Sequence, residues 1–226
     1  MRSILILAAD APGMATQALT SGASTLLLRL GGDDAAEREA ARAFAREFIE
    51  GTRERENAPR IFVQVAPAPG ELIDADLAAV VARGIDGVFL EACDGRAHVQ
   101  QLAAKLSVRE AAAGLPAGSV KIVALAAQTP SAIFALGGYR GASGRLVGLA
   151  MDETSPPSGD VARGTARALL RLGAAAAGVA AIDLAPDLEG AALDAACAAA
   201  RREGFAGFIA RSVDQLGAIE RAFAGA

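Results

Sequence analysis

Hydrophobic and polar residues alternate along the chain in segments of two kinds. Short apolar runs, many of them β-branched, are separated by longer segments rich in Ala, Leu and charged residues, with turn residues between them. This alternation predicts repeated βα units and therefore a parallel sheet. The predicted strands are residues 4–8, 25–30, 61–65, 87–90, 121–126, 146–149, 181–184 and 207–209. Eight parallel strands are the number that closes a (β/α)8 TIM barrel.

The segments between the predicted strands have the features of helices. Asp33 or Asp34 supplies an N-cap for a helix that extends to Glu50. After the third strand, Asp74 or Asp76 opens another helix in the same way. Further helices are predicted at residues 96–113, 130–136, 159–172, 188–203 and 213–223. No long linker interrupts the pattern, so we expect a single α/β domain over residues 1–226.

The composition of the chain indicates which binding partners and which cellular location to expect. The 226 residues carry a net charge of −4 and have no sizeable basic cluster, which disfavours nucleic acid and anionic membranes as partners. The apolar run at residues 4–9 is too short for a signal peptide, and we expect a cytoplasmic protein without a membrane span. Cys93 and Cys197 lie far apart in the sequence and are interpreted as buried structural thiols.

In a TIM barrel the chemistry is placed by residues that follow the strands. The polar residues at or after the predicted strand ends are Asp10, Arg29, Gln64, Glu91, Asp94, Gln128, Asp152, Glu153, Asp183 and Arg211. Most carry side-chain oxygens, which suit a hard cation such as Mg²⁺. The adjacent pair Asp152 and Glu153 stands out, because it ends the sixth strand and a Ser/Pro/Gly loop follows at once.

Two other features favour simpler interpretations. His98 is the only histidine and falls early in a predicted helix, so we expect a surface or capping residue rather than part of a nucleophilic triad. The glycine-rich segment 137–145 matches no phosphate-binding motif and precedes a strand. It is expected to be a plain loop on the face of the barrel opposite the chemistry.

Several short motifs occur in an order and spacing that resemble the HpcH/HpaI aldolase and citrate lyase β-subunit family over almost the whole chain. They are RSILIL at residues 2–7, DAP at 10–12, IDGVFL at 85–90, QT at 128–129, MDE at 151–153, AID at 181–183 and GFAG at 204–207. The resemblance implies a TIM barrel that makes or breaks carbon–carbon bonds with Mg²⁺, on an acyl-CoA thioester or a 2-oxo acid. It also implies a homo-oligomer, and it predicts that this chain lacks the C-terminal lid segment of many relatives.

The resemblance also assigns roles to residues. Gln128 and Glu153 match the family's metal ligands, Gln64 its substrate-binding arginine, and Asp152 the acid beside the second ligand. Gln128 stands where the family has Glu, so one charge is missing from the metal site. Gln64 in place of Arg removes a permanently charged clamp from the substrate site. Weakened sites for Mg²⁺ and for substrate are therefore expected.

Three functional hypotheses follow. The first is a divergent Mg²⁺-dependent lyase that uses Gln64, Gln128, Asp152 and Glu153. The second is a catalytically impaired barrel that serves as a binding or assembly subunit. The third is a metal-independent enzyme in which Asp152, Glu153 or Asp183 is the general base.

Overall fold

The protein was analysed as a computed structural model, which describes residues 1–9, 17–31, 34–52, 55, 57–152 and 160–224. Its centre is a closed barrel in which each parallel strand pairs with the next in chain order and the last pairs with the first. The strands are β1 (Ser3–Ala8), β2 (Thr25–Arg29), β3 (Arg60–Val65), β4 (Gly87–Leu90), β5 (Lys121–Leu125), β6 (Leu146–Ala150), β7 (Ala180–Leu184) and β8 (Gly207–Ala210). The predicted (β/α)8 TIM barrel is confirmed.

The helices surround this barrel. They are α1 (Ala35–Thr52), α2 (Ile73–Val80), α3 (Arg96–Ala112), α4 (Pro130–Ala135), α5 (Asp160–Ala177), α6 (Gly190–Glu203) and α7 (Leu216–Phe223), with short 3-10 turns at Leu136–Gly138 and Val213–Gln215. Asp34 caps α1 as predicted, because its Oδ1 accepts hydrogen bonds at 2.8 Å from the backbone N–H groups of Ala36 and Glu37. Among the helices in the described ranges, none is long and apolar enough to cross a membrane.

The predicted cap of α2 is wrong, and the reason is a buried ion pair. Both candidates lie inside the helix, which begins at Ile73 without a side-chain cap bond. Asp76 is fully buried and accepts hydrogen bonds from Arg38 at 2.6 Å and Arg42 at 2.9 Å. It also accepts one from the backbone N–H of Ala66 at 2.9 Å. Asp76 therefore ties α1 and α2 to the end of β3.

Alternation along the strands creates two apolar cores. Side chains of one parity fill the lumen of the barrel, where Phe62 and Phe89 meet edge to face with ring centroids 5.7 Å apart. Gly87 leaves space for this packing, since a Cβ there would approach the Phe62 ring to 2.3 Å. Side chains of the other parity pack under the helices. Cys93 and Cys197 are buried free thiols, as predicted.

A second buried ion pair lies at the end of the barrel where the strands begin, and it links α3 to the segment before β6. Arg145, just before β6, holds both carboxylate oxygens of Glu110 at 2.5 and 2.7 Å. The backbone N–H groups of Gly118 and Val120 also donate to Glu110, at 2.9 and 2.8 Å. Burial alone would raise the pKa of Glu110, but these partners lower it to about 2. Arg145 thus has a structural role at the end of the glycine-rich segment.

Candidate functional site

The carboxyl ends of β2 to β6 surround one cavity of about 370 Å³. It is lined by Arg29, Gln64, Pro67, Glu91, Ala92, Gln128 and Asp152. The alternation of side chains along the strands explains why most of these residues lie together. The lumen of the barrel contains the side chains of Leu27, Phe62, Phe89 and Ala150. The residues two positions further along each strand therefore point into its open mouth, which brings Arg29, Gln64, Glu91 and Asp152 together.

The first polar cluster of the mouth links β2, β3 and β4. Arg29 Nε donates to Gln64 Oε1 at 3.5 Å, and Gln64 Nε2 donates to Glu91 Oε1 at 2.6 Å. Arg29 and Gln64 are register partners on neighbouring strands, which accounts for their contact. Because its oxygen and nitrogen have different partners, the orientation of the buried Gln64 amide is fixed.

Glu91 sits in an environment that favours its protonated form. Burial raises the pKa of the Glu91 carboxyl above its ordinary value, and the nearby carboxylates of Asp76 and Asp152 raise it further. The hydrogen bond from Gln64 and the positive charge of Arg38 act in the opposite direction and do not cancel the rise. Glu91 is therefore a carboxyl group with increased proton affinity at the open end of the barrel.

The second polar cluster links β4, β5 and β6. The backbone N–H of Ala92, a residue with φ of 42°, donates to Gln128 Oε1 at 2.5 Å. Gln128 Nε2 donates to Asp152 Oδ2 at 2.6 Å, and Asp152 is only 4% exposed. Turning the amide over would set NH₂ against an N–H group and an oxygen against a carboxylate. The nitrogen of Gln128, and not its oxygen, therefore faces Asp152.

This orientation bears on metal binding. Mg²⁺ requires oxygen ligands at about 2.1 Å in octahedral geometry, and an amide NH₂ group cannot be one of them. In the described part of the chain, no group of three or more His, Cys, Asp or Glu residues could hold a metal ion. With the amide nitrogen of Gln128 facing Asp152, these two side chains do not form a binding site for a shared Mg²⁺ ion. Glu153 lies outside the described residues, so the assignment of Gln128 and Glu153 as ligands stays a prediction.

Asp183 does not line the mouth cavity, and its role as a general base stays a prediction. Ile182 and Leu184 on either side of it point into the lumen, and Asp183 therefore points outwards to the helices. There it accepts a hydrogen bond at 2.6 Å from Arg167 of α5, in a separate cavity of about 630 Å³ that α6 also lines. Burial raises the pKa of Asp183, although Arg167 partly opposes this.

The other sequence candidates are distributed as follows. Asp10 lies outside the described residues, and Asp94 accepts a hydrogen bond from Thr129 at 2.5 Å. His98 Nδ1 accepts a hydrogen bond at 3.3 Å from the backbone N–H of Asp94, the residue before Gly95, the N-cap of α3. Arg211 lines the outer cavity with Asp183. Of the four predicted site residues, the structure brings Gln64, Gln128 and Asp152 to one cavity.

Arg29 and Glu91 complete that cavity, although the resemblance gave neither residue a role. Their position at the end of a predicted strand had marked both as candidates, and each lies two positions beyond an apolar lumen residue, Leu27 on β2 and Phe89 on β4.

Comparisons with known proteins agree with this architecture. The model of the HpcH/HpaI aldolase/citrate lyase family matches residues 2–134. RipC from Yersinia pestis has 18% sequence identity and a TM-score of 0.73, covering 100% of this chain and 96% of its own. The citrate lyase β subunit of Mycobacterium tuberculosis, solved with oxaloacetate and magnesium, has 21% identity and a TM-score of 0.73, with 99% and 96% covered.

A third solved structure is the malate synthase of Haloferax volcanii in a magnesium and glyoxylate complex. It has 15% identity and a TM-score of 0.80, covering 100% of this chain and 76% of its own. At these identities the solved structures show the shared fold. No curated protein sequence matches the chain.

Proposed function

Because the chain belongs to the HpcH/HpaI aldolase/citrate lyase family, we propose that it is a carbon–carbon lyase acting on a 2-oxo acid or an acyl-CoA thioester. The observation that carries the proposal is the mouth cavity, where the cation of Arg29 and the carboxyl groups of Glu91 and Asp152 line one space. Cleavage next to a carbonyl needs a group that holds the oxygen on which charge develops. It also needs a group that moves a proton.

In this proposal, Arg29 and Gln64 bind the substrate. The guanidinium of Arg29 forms charge-assisted hydrogen bonds with a carboxylate or an enolate oxygen. Gln64 donates one N–H to Glu91 and has a second that can donate to the substrate carbonyl. Asp152, held by Gln128, stands beside the reacting carbonyl. A neutral amide stabilises a developing oxyanion less than a guanidinium does, so a slow lyase is expected.

We assign Mg²⁺ a weak role or none in this reaction. Magnesium is named in the solved complex of the M. tuberculosis citrate lyase β subunit. In this chain, however, the predicted ligand Gln128 gives its oxygen to the backbone of Ala92 and its nitrogen to Asp152. The amide also adds no negative charge to a metal site. No step of the proposed reaction is therefore assigned to the metal.

The test is turnover by the purified full chain with one probe from each substrate class. A 4-hydroxy-2-oxo acid should release pyruvate, and a 3-hydroxyacyl-CoA of a dicarboxylic acid should release acetyl-CoA, each measured with Mg²⁺ and with EDTA. Arg29→Met should lower kcat/KM by about 100-fold or more, as the removal of one oxyanion donor does. Arg96→Met, at an exposed position, is the matched control. Absence of product from both probes would refute the lyase assignment.

A second function is favoured by one specific observation. Gln64 bonds Glu91 and Gln128 bonds Asp152, so these polar groups are already paired without a ligand. Such a mouth is compatible with a barrel that binds a small carboxylate as a subunit of an assembly without turning it over. Calorimetric binding of pyruvate or acetyl-CoA, together with absence of product from both probes, would favour this alternative.

A further inference from the structure

Glu91 combines a fixed position with an available oxygen in the mouth cavity. Resting on the function proposed above, we propose that Glu91 is the residue that transfers the proton at the substrate carbon next to the carbonyl. Neither the family resemblance nor the comparisons give this residue a role. The assignment depends on its contacts, on the charges around it and on the difference between Glu91 and Asp152.

The contacts of Glu91 leave one oxygen to react. Its Oε1 accepts the 2.6 Å hydrogen bond from Gln64, which fixes the direction of the carboxyl group. Its Oε2 has no hydrogen-bond or ion-pair partner within the described ranges, and the side chain lines the mouth cavity. A base needs this combination, because a carboxylate with both oxygens engaged must break a bond before it accepts a proton.

The charges around Glu91 come from four elements. Asp152 follows β6, Asp76 lies in α2, Arg38 lies in α1, and Arg29 of β2 reaches Glu91 through Gln64. Arg38 is paired with Asp76 at 2.6 Å, so its charge only partly offsets that of Glu91. Burial and the two carboxylates raise the pKa of Glu91, which brings it closer to the range where a group both accepts and returns a proton at neutral pH.

Asp152 is less suited to the same role. It is 4% exposed, and its Oδ2 accepts a short hydrogen bond from Gln128. Glu91 is only half-buried, and its side chain is one methylene group longer than that of Asp152. We therefore assign proton transfer to Glu91 and substrate positioning to Asp152.

The step balances as follows. In the condensation direction, Glu91 Oε2 takes the proton from the carbon next to the carbonyl, and the C–H electron pair becomes the enolate. The enolate carbon then bonds to the carbonyl carbon of the second substrate, whose oxygen takes up a proton from water. In the cleavage direction, the substrate hydroxyl releases its proton to water and becomes the C=O of the departing fragment. The carbon–carbon bond breaks, its electron pair forms the same enolate, and Glu91, protonated from water, delivers its proton to the enolate carbon. Oxidation states do not change, and no co-reactant is consumed.

The experiment is hydrogen–deuterium exchange of the methyl groups of pyruvate and acetyl-CoA in D₂O, followed by NMR, because exchange reports C–H breakage without cleavage. The unmodified chain should exchange at least one of these methyl groups. Glu91→Gln keeps an oxygen for Gln64 and should lower the exchange rate by about 100-fold or more, the usual contribution of a general base. The Kd of pyruvate should change less than about threefold, and the pH dependence due to Glu91 should disappear.

Glu47→Gln is the matched control, because Glu47 is exposed on α1. Should Glu91→Gln fail to fold, Glu91→Asp withdraws the carboxylate by one methylene and should lower exchange about tenfold or more. Normal exchange by a folded Glu91 variant would overturn the assignment and leave the lyase proposal intact. Exchange that depends on Glu91 without cleavage would refute the lyase and retain Glu91. Absence of exchange with both probes would overturn the proposal for Glu91.

Discussion

Replacement of Gln128 by Glu tests whether the Gln128 amide stabilises Asp152 by the hydrogen bond that the structure shows. The substitution keeps the size of the side chain and retains an oxygen for the Ala92 N–H group. It replaces the NH₂ group that lies 2.6 Å from Asp152 Oδ2 by a second negative oxygen. In the absence of metal, we expect the variant to be less stable than the unmodified chain.

The size of the effect follows from three contributions. Loss of the hydrogen bond to a charged group costs about 1.5–3 kcal/mol. Two carboxylates about 4 Å apart repel by about 4 kcal/mol at an effective dielectric constant of about 20. The repulsion has an upper limit, because the new Glu can instead take up a proton. For an ordinary Glu at pH 7 this costs about 4 kcal/mol, and the protonated side chain then forms an O–H···O hydrogen bond. The net loss should be about 3 kcal/mol, or about 6–12 °C in Tm for a chain of this length.

Magnesium should reverse the loss in the variant. The new carboxylate at position 128 and that of Asp152 would present facing oxygens to a cation, and a site with a Kd of about 0.1 mM gains about 2.7 kcal/mol at about 10 mM Mg²⁺. The Tm of the unmodified chain should change by less than about 1 °C under the same conditions, because its amide nitrogen faces Asp152.

The assay is thermal unfolding by circular dichroism in EDTA and in Mg²⁺, supported by urea unfolding at pH 7. Gln101→Glu adds the same charge at an exposed position of α3 and should leave the Tm unchanged in both buffers. Equal stability of Gln128→Glu and the unmodified chain in EDTA would show that Gln128 does not hold Asp152 as described. A large Mg²⁺ stabilisation of the unmodified chain would show that the amide turns to bind the metal.

Two further predictions concern stability. Gly173→Ala should lower the free energy of unfolding by about 1–3 kcal/mol, because the new Cβ would lie 2.4 Å from the carbonyl oxygen of Leu136. Gly164→Ala, in the same helix, meets no atom within 4 Å and should raise the free energy of unfolding by about 0.5–1 kcal/mol. Urea unfolding should therefore show midpoints shifted in opposite directions, and equal shifts would contradict this explanation. Because its pKa is about 2 instead of 4.5, Glu110 stabilises fully above about pH 4.5 and progressively less as the pH falls towards 2. Glu110→Gln should therefore cost about 3–5 kcal/mol at pH 7 and less at pH 3, and a cost independent of pH would refute this explanation.

The fold could be predicted closely from sequence because local patterns determine its elements. Each apolar run is bounded by turn residues, so every predicted strand lies within one residue of the observed one at either end. The cap of α1 at Asp34 was also a local signal. Asp76 was misassigned because its partners Arg38 and Arg42 lie 38 and 34 positions away, and residue spacing carries no information about such contacts.

The site could be predicted only in part. Position after a strand also selected Asp183, which points to the helices, besides the residues that do line the mouth: Arg29, Gln64, Glu91, Gln128 and Asp152. Strands of a parallel barrel are buried on both faces, so the apolar neighbours of Asp183 did not show which side is the lumen. The orientation of the Gln128 amide depends on the backbone N–H group of Ala92, which lies after β4 and far away in sequence, and no sequence motif encodes it.

The coupling of Gln128 with Asp152 constrains the routes by which this barrel can change over generations. A single codon change that introduces Glu at position 128 would first produce a destabilised protein, so that descendant would persist only where enough free magnesium surrounds it. A simultaneous loss of the acid at position 152 would avoid the penalty but would give up the cation site. The ambient magnesium level would then act as a selection pressure, and it would decide whether a metal-binding descendant of this barrel survives.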